Sequence, residues 1–543
     1  MTKTVSLLTG ASTLIFFLCS SWRHSLFQSA AFDLGFFDQA LYLISQGETP
    51  IVSFWGYHAM ADHAAPILYP LALLYKIYPD IHWLLAVQAI ALSLGCWFTW
   101  RLALQAALSE AQAVTMAVVY LLYPLVFNVN LFDFHLEVIA IPGLLGAVLA
   151  ARGRRMAWFI GCLILVLSCK AVLSLTVAAM GFWLLIFEQR RLAGAIALAA
   201  GIAWFLITTQ VLIPWFSGGN EAAAVSRYSH LGSSVGEIIA NLVLKPGLVL
   251  GNLFTLPNLE YLVLLFAPVI WGISLRYLTP LVVILPTLAM NFLTDVPSHK
   301  NLVHHYSLPT LPFLLLAVIG TLAQGGGWWR FQATRQEAGG RRQEAGGRRQ
   351  EAESRRQETE GRRQEAEGRR LNVSLHSQFP IPNSQFLIPH SPFPIPSIGY
   401  TQRAIILWSL IAFVALAKFG YFGSRYLESL DTRQATREAI ALVKTQGSVL
   451  TADQIAPHLT HRPIVKLAFA SFDVTELANF DYALLNVRHP GWQSTPEFAA
   501  SLVERLKNLP EFELTYERDG VYLFVKGMGN RELGIGNWEL GIV

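Results

Sequence analysis

Two carboxylates directly follow the first apolar stretch of the sequence, in the segment FDLGFFDQ at 32–39. A carboxylate beside hydrocarbon is costly unless it is used, so Asp33 and Asp38 are candidate functional residues. Such a group can take a proton from a hydroxyl. On a helix, the five-residue offset places the two side chains about 140° apart, so that one can face a cavity while the other caps or orients. Ordinary helix capping by Asp33 is the alternative interpretation.

A second acidic segment, NLFDFHLE at 130–137, lies where two apolar stretches meet. Asp133 and Glu137 are one helical turn apart and can share a face. Together with Asp33 or Asp38 they can supply a general base and an orienting carboxylate. The alternative is a polar turn capped by Asn130 and Asp133. The candidate catalytic residues are Asp33, Asp38 and Asp133.

A third group combines imidazole and carboxylate side chains at His58, Asp62 and His63. Oxygen and nitrogen ligands of this kind suit Mg²⁺, Mn²⁺ or Zn²⁺. Asp38, Asp62 and His63 are therefore candidate ligands of a divalent cation, with magnesium or manganese the expected ion. Their spacing is unspecific, and a hydrogen-bonded loop is the commoner outcome for such a group.

Positive charge is expected on the same side as these acids. Lys170 lies between two apolar stretches, and Arg227 and the histidine-rich loop 299–305 follow further along the chain. Guanidinium and ammonium groups satisfy the oxygens of a phosphate. The alternatives are a lysine that snorkels to the headgroups and a solvated loop. The candidate substrate-binding residues are His63, His135, Glu137, Lys170, Arg227 and His305.

The composition predicts that a membrane positions these residues. Mean hydropathy is +0.43, and only 14% of the residues are charged. A soluble chain of 543 residues needs more charge to cover its surface. The formal net charge of +4 gives no reason to predict nucleic acid as a partner.

Long apolar runs predict an all-α polytopic protein with about eleven spans. An N-terminus in the cytoplasm places Arg101, Arg152, Arg190 and Arg276 in cytoplasmic loops, as the positive-inside rule requires. The site candidates and the C-terminal region then lie outside a bacterial plasma membrane. The predicted spans are 5–21, 82–100, 112–128, 137–150, 157–169, 171–187, 193–214, 260–275, 278–294, 307–323 and 403–421.

The remaining segments differ in composition from the spans. Residues 335–370 repeat a glycine- and charge-rich heptad without large apolar residues, which favours a solvated tether over a coiled coil. Alternating helix and strand patterns, with Asp519-Gly520 as a hairpin turn, predict a small α/β domain near the C-terminus. The predicted organisation is a membrane core at 1–324 with an outer loop at 22–81, a linker at 325–402, a last span at 403–421, an outer α/β domain at 424–526 and a disordered tail at 527–543.

Several of these motifs resemble a known bacterial membrane-protein family, called domain of unknown function 2079. They are FDLG and DQ within 32–39, His63 with PIL at 66–68, LFDFH at 131–135, RY at 227–228 with LG at 231–232, and HY at 305–306. The resemblance covers most of 25–320 and, more weakly, 400–526. That family is similar to the membrane glycosyltransferases of the C-type fold. Such enzymes carry an acid in the first outer loop and often a second acid in the next.

The resemblance implies a C-type core and a transferase that moves a sugar from a polyprenyl phosphate to an unidentified acceptor outside the cytoplasm. It implies base or metal-ligand roles for Asp33 or Asp38 and for Asp133. One departure implies a weakened or inactive copy, because Lys170-Ala171-Val172 stands where the family commonly has Lys-Glu-Asp. The alternative functions are a non-enzymatic scaffold for the outer domain and a transporter, although the repeated halves of a transporter are not evident.

Overall fold

The computed structural model describes residues 2–220, 223–325 and 400–527. The predicted linker and tail lie almost entirely outside these residues. The described part is mostly helical, and its α-helices are α1 Thr2–Ser25, α2 Phe36–Gln46, α3 Met60–His63, α4 Leu68–Ile77, α5 His82–Gln105, α6 Glu110–Leu121, α7 Pro124–Phe132, α8 Glu137–Arg152, α9 Met156–Cys169, α10 Leu173–Ile186, α11 Arg191–Ile207, α12 Ile213–Phe216, α13 Val235–Leu244, α14 Pro246–Leu253, α15 Leu256–Phe266, α16 Leu285–Leu293, α17 Leu311–Ala323, α18 Tyr400–Leu416, α19 Phe419–Glu428, α20 Arg433–Ala441 and α21 Pro496–Lys507.

Several helices are long and apolar enough to cross a membrane. Among the described residues six qualify, and a seventh does if the pair Pro246–Leu253 and Leu256–Gly272, bent by 55°, forms one span. Shorter apolar helices coincide with further predicted spans, including α9 and α10. The number of eleven spans stays a prediction. The six qualifying helices are Thr2–Ser25, His82–Gln105, Glu110–Phe132, Arg191–Phe216, His305–Ala323 and Tyr400–Glu428.

Helix packing inside the bundle depends on small residues. A Cβ atom at Gly181 on α10 would come within 2.2 Å of the backbone nitrogen of Leu198 on α11. A Cβ at Gly201 would come within 2.5 Å of the backbone nitrogen of Ala178. The two helices therefore touch backbone to backbone, as small residues permit in membrane helices.

Helix α8 runs through the core and joins two polar regions. Nearly all of its residues are buried, including Pro142. Its 16 residues span about 24 Å. Glu137 at its start lies among the site candidates, whereas Arg152 at its end lines a cavity of about 280 Å³ with Glu188 and Gln324. The bundle thus has a site end and an opposite end.

The C-terminal domain contains a mixed five-stranded sheet with the order β4-β3-β5-β7-β6. Strands β3, β4 and β5 are mutually parallel, whereas β7 pairs antiparallel with β5 and β6. Asp519 and Gly520 both have positive φ and form the β6–β7 turn, as the sequence predicts. The strands within the described residues are β1 Ile51–Val52, β2 Tyr57–His58, β3 Val449–Thr451, β4 Val465–Leu467, β5 Tyr482–Asn486, β6 Phe512–Arg518 and β7 Val521–Lys526.

The loop 22–81, which is predicted to lie outside the membrane, packs into this domain. Ala31 is fully buried in a cluster with residues of β3 and α20, and Phe32 and Phe54 pack against the same cluster. A Cβ at Gly35 would meet the ring of Pro457 at 3.4 Å, so glycine permits the close approach. The domain is therefore held against the segment that carries Asp33.

Candidate functional site

Asp33 lies in one turn of π-helix, 31–35, immediately before α2. Its Oδ1 lies 3.1 Å from Nε2 of His135. The Nδ1 atom of His135 lies 3.2 Å from the backbone carbonyl oxygen of Asp133. A carbonyl and a carboxylate can only accept, so this geometry requires a hydrogen on both ring nitrogens, and His135 pairs with Asp33 as an imidazolium. The Asp33 side chain is 25% exposed, so the Asp33–His135 pair is open to a reactant.

Asp133 is also at this place, but it is 1% exposed. One of its oxygens accepts a hydrogen bond from Arg23 at the end of α1. The other accepts from the backbone N–H of Ala30 at 3.0 Å. Asp133 therefore ties α1 and the start of the outer loop to the α7–α8 junction. In this position it holds Asp33 in place and is not itself accessible.

The two acids differ in the direction of their pKa shifts. Burial raises the pKa of Asp133 to about 6 against the lowering effect of Arg23. Burial also acts to raise the pKa of Asp33, but the hydrogen bond and charge of His135 and the charge of Arg23 outweigh it. The pKa of Asp33 is lowered as a result, and its carboxylate is ionised at neutral pH.

Glu137 and Lys170 form the next part of the network. The Lys170 Nζ atom donates to Glu137 Oε1 at 2.7 Å, with the two side chains 17% and 6% exposed. His305 places Nε2 at 3.5 Å from the same oxygen, and its ring stacks on His135 at 3.7 Å. The stacked imidazoles therefore connect the Asp33 region to the lysine.

The position of Lys170 is fixed by backbone pairing with the outer loop. The N–H of Ala171 donates to the carbonyl of His63 at 2.9 Å. Asp62 and His63 are ion-paired at 2.5 Å beside it. Burial acts to raise the pKa of Asp62, but the charges of His63 and Lys170 lower it to about 2.

The departure at Lys170-Ala171-Val172 has a structural counterpart. Ala171 is buried against Ala64 and Ile213, so an apolar contact occupies the place of the first missing acid. The carboxylate beside Lys170 comes from Glu137.

Arg227 adds a second cation. Its Nη1 atom lies 3.2 Å from Nε2 of His299, and the guanidinium is 5.7 Å from the ring centroid of Tyr306. Because the guanidinium can only donate, Nε2 of His299 accepts and this imidazole is neutral. Burial and the charge of Arg227 lower the pKa of His299 to about 3. Arg227 is also close enough to Asp62 to lower the pKa of that carboxylate.

Asp38 is not part of this network. Its side chain is 1% exposed and accepts hydrogen bonds from Tyr75 at 2.5 Å and from Thr460. His461 places Nε2 at 3.1 Å from the second oxygen. Thr460 and His461 belong to the C-terminal domain. The structure therefore separates the two predicted acids: Asp33 joins Asp133, whereas Asp38 lies in the contact between the outer loop and that domain.

The Asp38–His461 pair is expected to stabilise the folded protein more at low pH than at high pH. Burial acts to lower the pKa of His461, but the Asp38 carboxylate outweighs it and raises the pKa above the ordinary 6.5, with Asp80 adding and Arg462 opposing. This stabilisation is complete below the unfolded pKa and is lost as the pH rises through the folded pKa. We expect His461→Gln to lower the melting temperature clearly near pH 6 and less near pH 9.

A surface pair provides the control for that measurement. His489 contacts Asp431 at 2.7 Å in the same domain, and Asp431 is 46% exposed. We expect His489→Gln to change the melting temperature little at either pH, because exposed pairs contribute little. If His461→Gln lowered the melting temperature by the same amount at both pH values, the result would contradict a stabilising Asp38–His461 pair.

The predicted cation ligands do not form one site. Asp38 lies against the C-terminal domain, whereas Asp62 and His63 pair with each other beside Lys170. Within 2–220, 223–325 and 400–527, no group of three or more His, Cys, Asp or Glu side chains is arranged to hold a metal ion. The three predicted ligands therefore lie at two separate places, and a divalent cation at the site stays a prediction.

The sequence-based candidates lack Arg23, His461 and Asp453, which contact the predicted acids or the segment that carries Asp33. Arg23 pairs with Asp133, His461 pairs with Asp38, and Asp453 accepts the N–H of Ala31 at 3.1 Å. For two of them, Arg23 and Asp453, the sequence does contain a signal. Arg23 is a cation at the end of a span that is predicted to lie outside, where the positive-inside rule disfavours it. Asp453 directly follows the strand-like run SVLTA at 448–452.

Comparisons with known proteins agree with this architecture. The family model described as predicted membrane protein (DUF2079) matches residues 23–336 and 374–523. The crystal structure of ArnT from Cupriavidus metallidurans bound to undecaprenyl phosphate is similar, with a TM-score of 0.50 and 11% identity over 97% of this chain and 99% of that chain. Its apo state gives a TM-score of 0.51 and 10% identity over 96% and 98%.

At such low identity the likeness concerns the fold alone. The expectation of a C-type membrane-glycosyltransferase fold is confirmed by it. No curated protein sequence matches the chain.

Proposed function

This chain belongs to the DUF2079 family of membrane proteins, and we propose that it is a glycosyltransferase that moves a sugar from a polyprenyl phosphate to an acceptor outside the cytoplasm. The observation that carries the proposal is the exposure of Asp33. Its side chain is 25% exposed, whereas those of Asp133 and Glu137 are 1% and 6% exposed and already engaged with cations. Asp33 is thus an ionised carboxylate that a reactant can reach within a network of buried, paired acids.

Asp33 would act as the general base. It takes the proton of the acceptor hydroxyl as the acceptor oxygen forms its bond to the anomeric carbon. The bond between that carbon and the phosphate oxygen breaks, and the electron pair leaves with the phosphate, which inverts the anomeric centre. His135 orients the carboxylate through its Nε2–H group, and the carbonyl of Asp133 fixes the orientation of the ring by accepting from Nδ1–H.

Lys170 and Arg227 would stabilise the leaving phosphate. Both lie close enough to Asp62 to lower its pKa, so their charges act on a common region. Ammonium and guanidinium groups aimed at developing phosphate charge lower the barrier to its departure. The pairing of Lys170 with Glu137 keeps the cation at the site while no phosphate is bound.

The fold supports a polyprenyl phosphate as the carrier. ArnT, which is similar over nearly the whole chain, was solved with undecaprenyl phosphate bound. The positive-inside rule supports the proposed side of the membrane, since Arg152, Arg154 and Arg155 cluster at the end of α8 remote from Glu137. We therefore propose a bacterial inner-membrane location with the site end outward.

We expect the purified protein in uncharged nanodiscs to bind undecaprenyl phosphate in preference to undecaprenol. Lys170→Ala and Arg227→Ala should each weaken binding of the phosphate by roughly tenfold, the effect of losing one charged hydrogen bond. Binding of the alcohol should change little. Titration of each lipid, followed by native mass spectrometry, measures both affinities.

Lys245→Ala is the matched control, because Lys245 is exposed at the end of α13. It should leave the preference for the phosphate unchanged. Equal affinity of the wild type for the phosphate and the alcohol would contradict the proposed donor. Transfer of radiolabelled sugar from an undecaprenyl-phosphate-linked donor in membranes that contain the protein tests the reaction itself.

A further inference from the structure

We propose that Asp453 of the C-terminal domain is a positioning residue for Asp33, so that the site is complete only when this domain is docked. The chemical role of the site rests on the proposed function, whereas the contact between Asp453 and Ala31 does not. Asp453 lies 422 positions from its partner Ala31, two residues after the end of β3.

The first contact is to the backbone of the segment that carries Asp33. The N–H of Ala31 donates to Asp453 Oδ1 at 3.1 Å, and the neighbouring N–H of Ala30 donates to Asp133 Oδ2 at 3.0 Å. These amides precede or begin the helical segment, where N–H groups lack partners within the helix. Two consecutive amides are therefore held by carboxylates from two distant parts of the chain.

The Asp453 side chain is itself fixed by its surroundings. It is 5% exposed. Gly491 has a φ of 87°, and a Cβ there would come within 3.2 Å of the Asp453 backbone nitrogen and Cβ. Only glycine fits this approach without strain. The loop at Gly491 therefore closes over Asp453.

Aromatic contacts secure the residue next to Asp33 to the same domain. The ring of Phe32 lies 5.8 Å from that of Phe469 and 5.6 Å from that of Trp492. Phe54 and Trp55 of the outer loop complete the cluster at 5.7 and 5.1 Å. Ala31 and Phe32 are thus both held by the C-terminal domain. Their contacts also fix the position of the backbone of Asp33, the next residue.

The charge of Asp453 also acts on the site. Burial raises the pKa of Asp453 to about 7, and the charges of Asp33 and Asp133 contribute in the same direction. Asp453 therefore changes its charge near neutral pH. When ionised, it repels negative charge on Asp33 and makes that carboxylate a stronger base.

The test compares full-length wild type with Asp453→Ala, Asp453→Asn and Asp473→Asn in nanodiscs. Asparagine keeps an oxygen that can accept the Ala31 N–H but removes the charge. Asp473 is an exposed acid of the same domain and serves as the control. Hydrogen exchange of a peptide covering 26–36 reports on the contact, and the pH dependence of sugar transfer reports on the charge.

We expect Asp453→Ala to increase exchange in 26–36 by roughly tenfold or more, because a hydrogen bond to a charged group is lost. Asp453→Asn should keep most of the protection of 26–36 from hydrogen exchange. It should lose the change in sugar-transfer rate near pH 7. Replacing a residue with a purely structural role would not alter the pH dependence of the transfer rate in this range. Asp473→Asn should behave as wild type in both measurements.

Unchanged exchange in Asp453→Ala would overturn the inference even if transfer depends on Asp33. An unchanged pH limb in Asp453→Asn would overturn the role of the charge. Conversely, absence of sugar transfer in the wild type would overturn the proposed function, while the exchange measurement would still decide whether Asp453 positions the segment.

Discussion

Asp33→Asn is expected to lower sugar transfer by about 10²–10⁴-fold, the usual contribution of a general base. The amide is nearly isosteric with the carboxylate and can still face Nε2 of His135, so the local geometry should persist. Binding of undecaprenyl phosphate should be unchanged, because Asp33 contacts His135 and not the cations Lys170 and Arg227. Single-turnover transfer and lipid titration measure the two effects separately.

Two further variants give this result its specificity. Asp295 is 64% exposed, and its ion-pair partner among the described residues is His230, so Asp295→Asn should leave transfer near the wild-type rate. Asp38→Asn should act mainly through stability, because Asp38 is held by Tyr75 and by Thr460 and His461 of the C-terminal domain. If Asp33→Asn retained transfer within about threefold of wild type while Asp38→Asn did not, the assignment of the base would be reversed.

Asp133→Ala is expected to destabilise the protein by about 3–5 kcal/mol, the usual cost of removing one partner of a buried ion pair. The Asp133 side chain is 1% exposed, and that of Arg23 is 12% exposed. The variant leaves the guanidinium without its carboxylate and the Ala30 N–H without its acceptor. Denaturant unfolding in detergent measures the change.

Replacing both Arg23 and Asp133 separates the free-energy cost of breaking the ion pair from the stability that the intact pair contributes. Burial raises the pKa of Asp133 to about 6 despite Arg23, so the ion pair does not fully offset the desolvation of the carboxylate. Arg23→Leu combined with Asp133→Leu should therefore be much less destabilised than either single variant. Glu428→Ala breaks the exposed pair with Arg425 and should cost about 0–1 kcal/mol. A double variant as unstable as the sum of the singles would refute this reading.

The membrane core could be predicted largely from local sequence. Apolar runs of membrane length determine where α1, α5 and α11 lie, because hydrocarbon admits few other backbone structures. The approach of Asp33 to the segment 130–137 was predicted, since both lie at span ends on one predicted face, but the pairing of Asp33 with His135 was not. Their contact at 3.1 Å depends on packing that no local pattern specifies.

The partners of Asp38 could not be predicted in this way. Thr460 and His461 lie more than 400 positions further along the chain, and the contact depends on how the C-terminal domain packs against the loop that carries Asp38. Strand β4 was missed for a different reason. It has three residues, Val465 to Leu467, and such a short run has no periodicity.

The reach of the C-terminal domain back to the first outer loop has a consequence for biosynthesis. A ribosome releases Asp33 and Asp38 early, but Asp453, Thr460 and His461 emerge hundreds of residues later, after the last span. A prematurely terminated chain that ends before 453 would retain the apolar bundle but lack Thr460 and His461 as partners for Asp38. The Asp38 contacts thus distinguish finished from unfinished copies, and unfinished ones should be the preferred targets of membrane proteases.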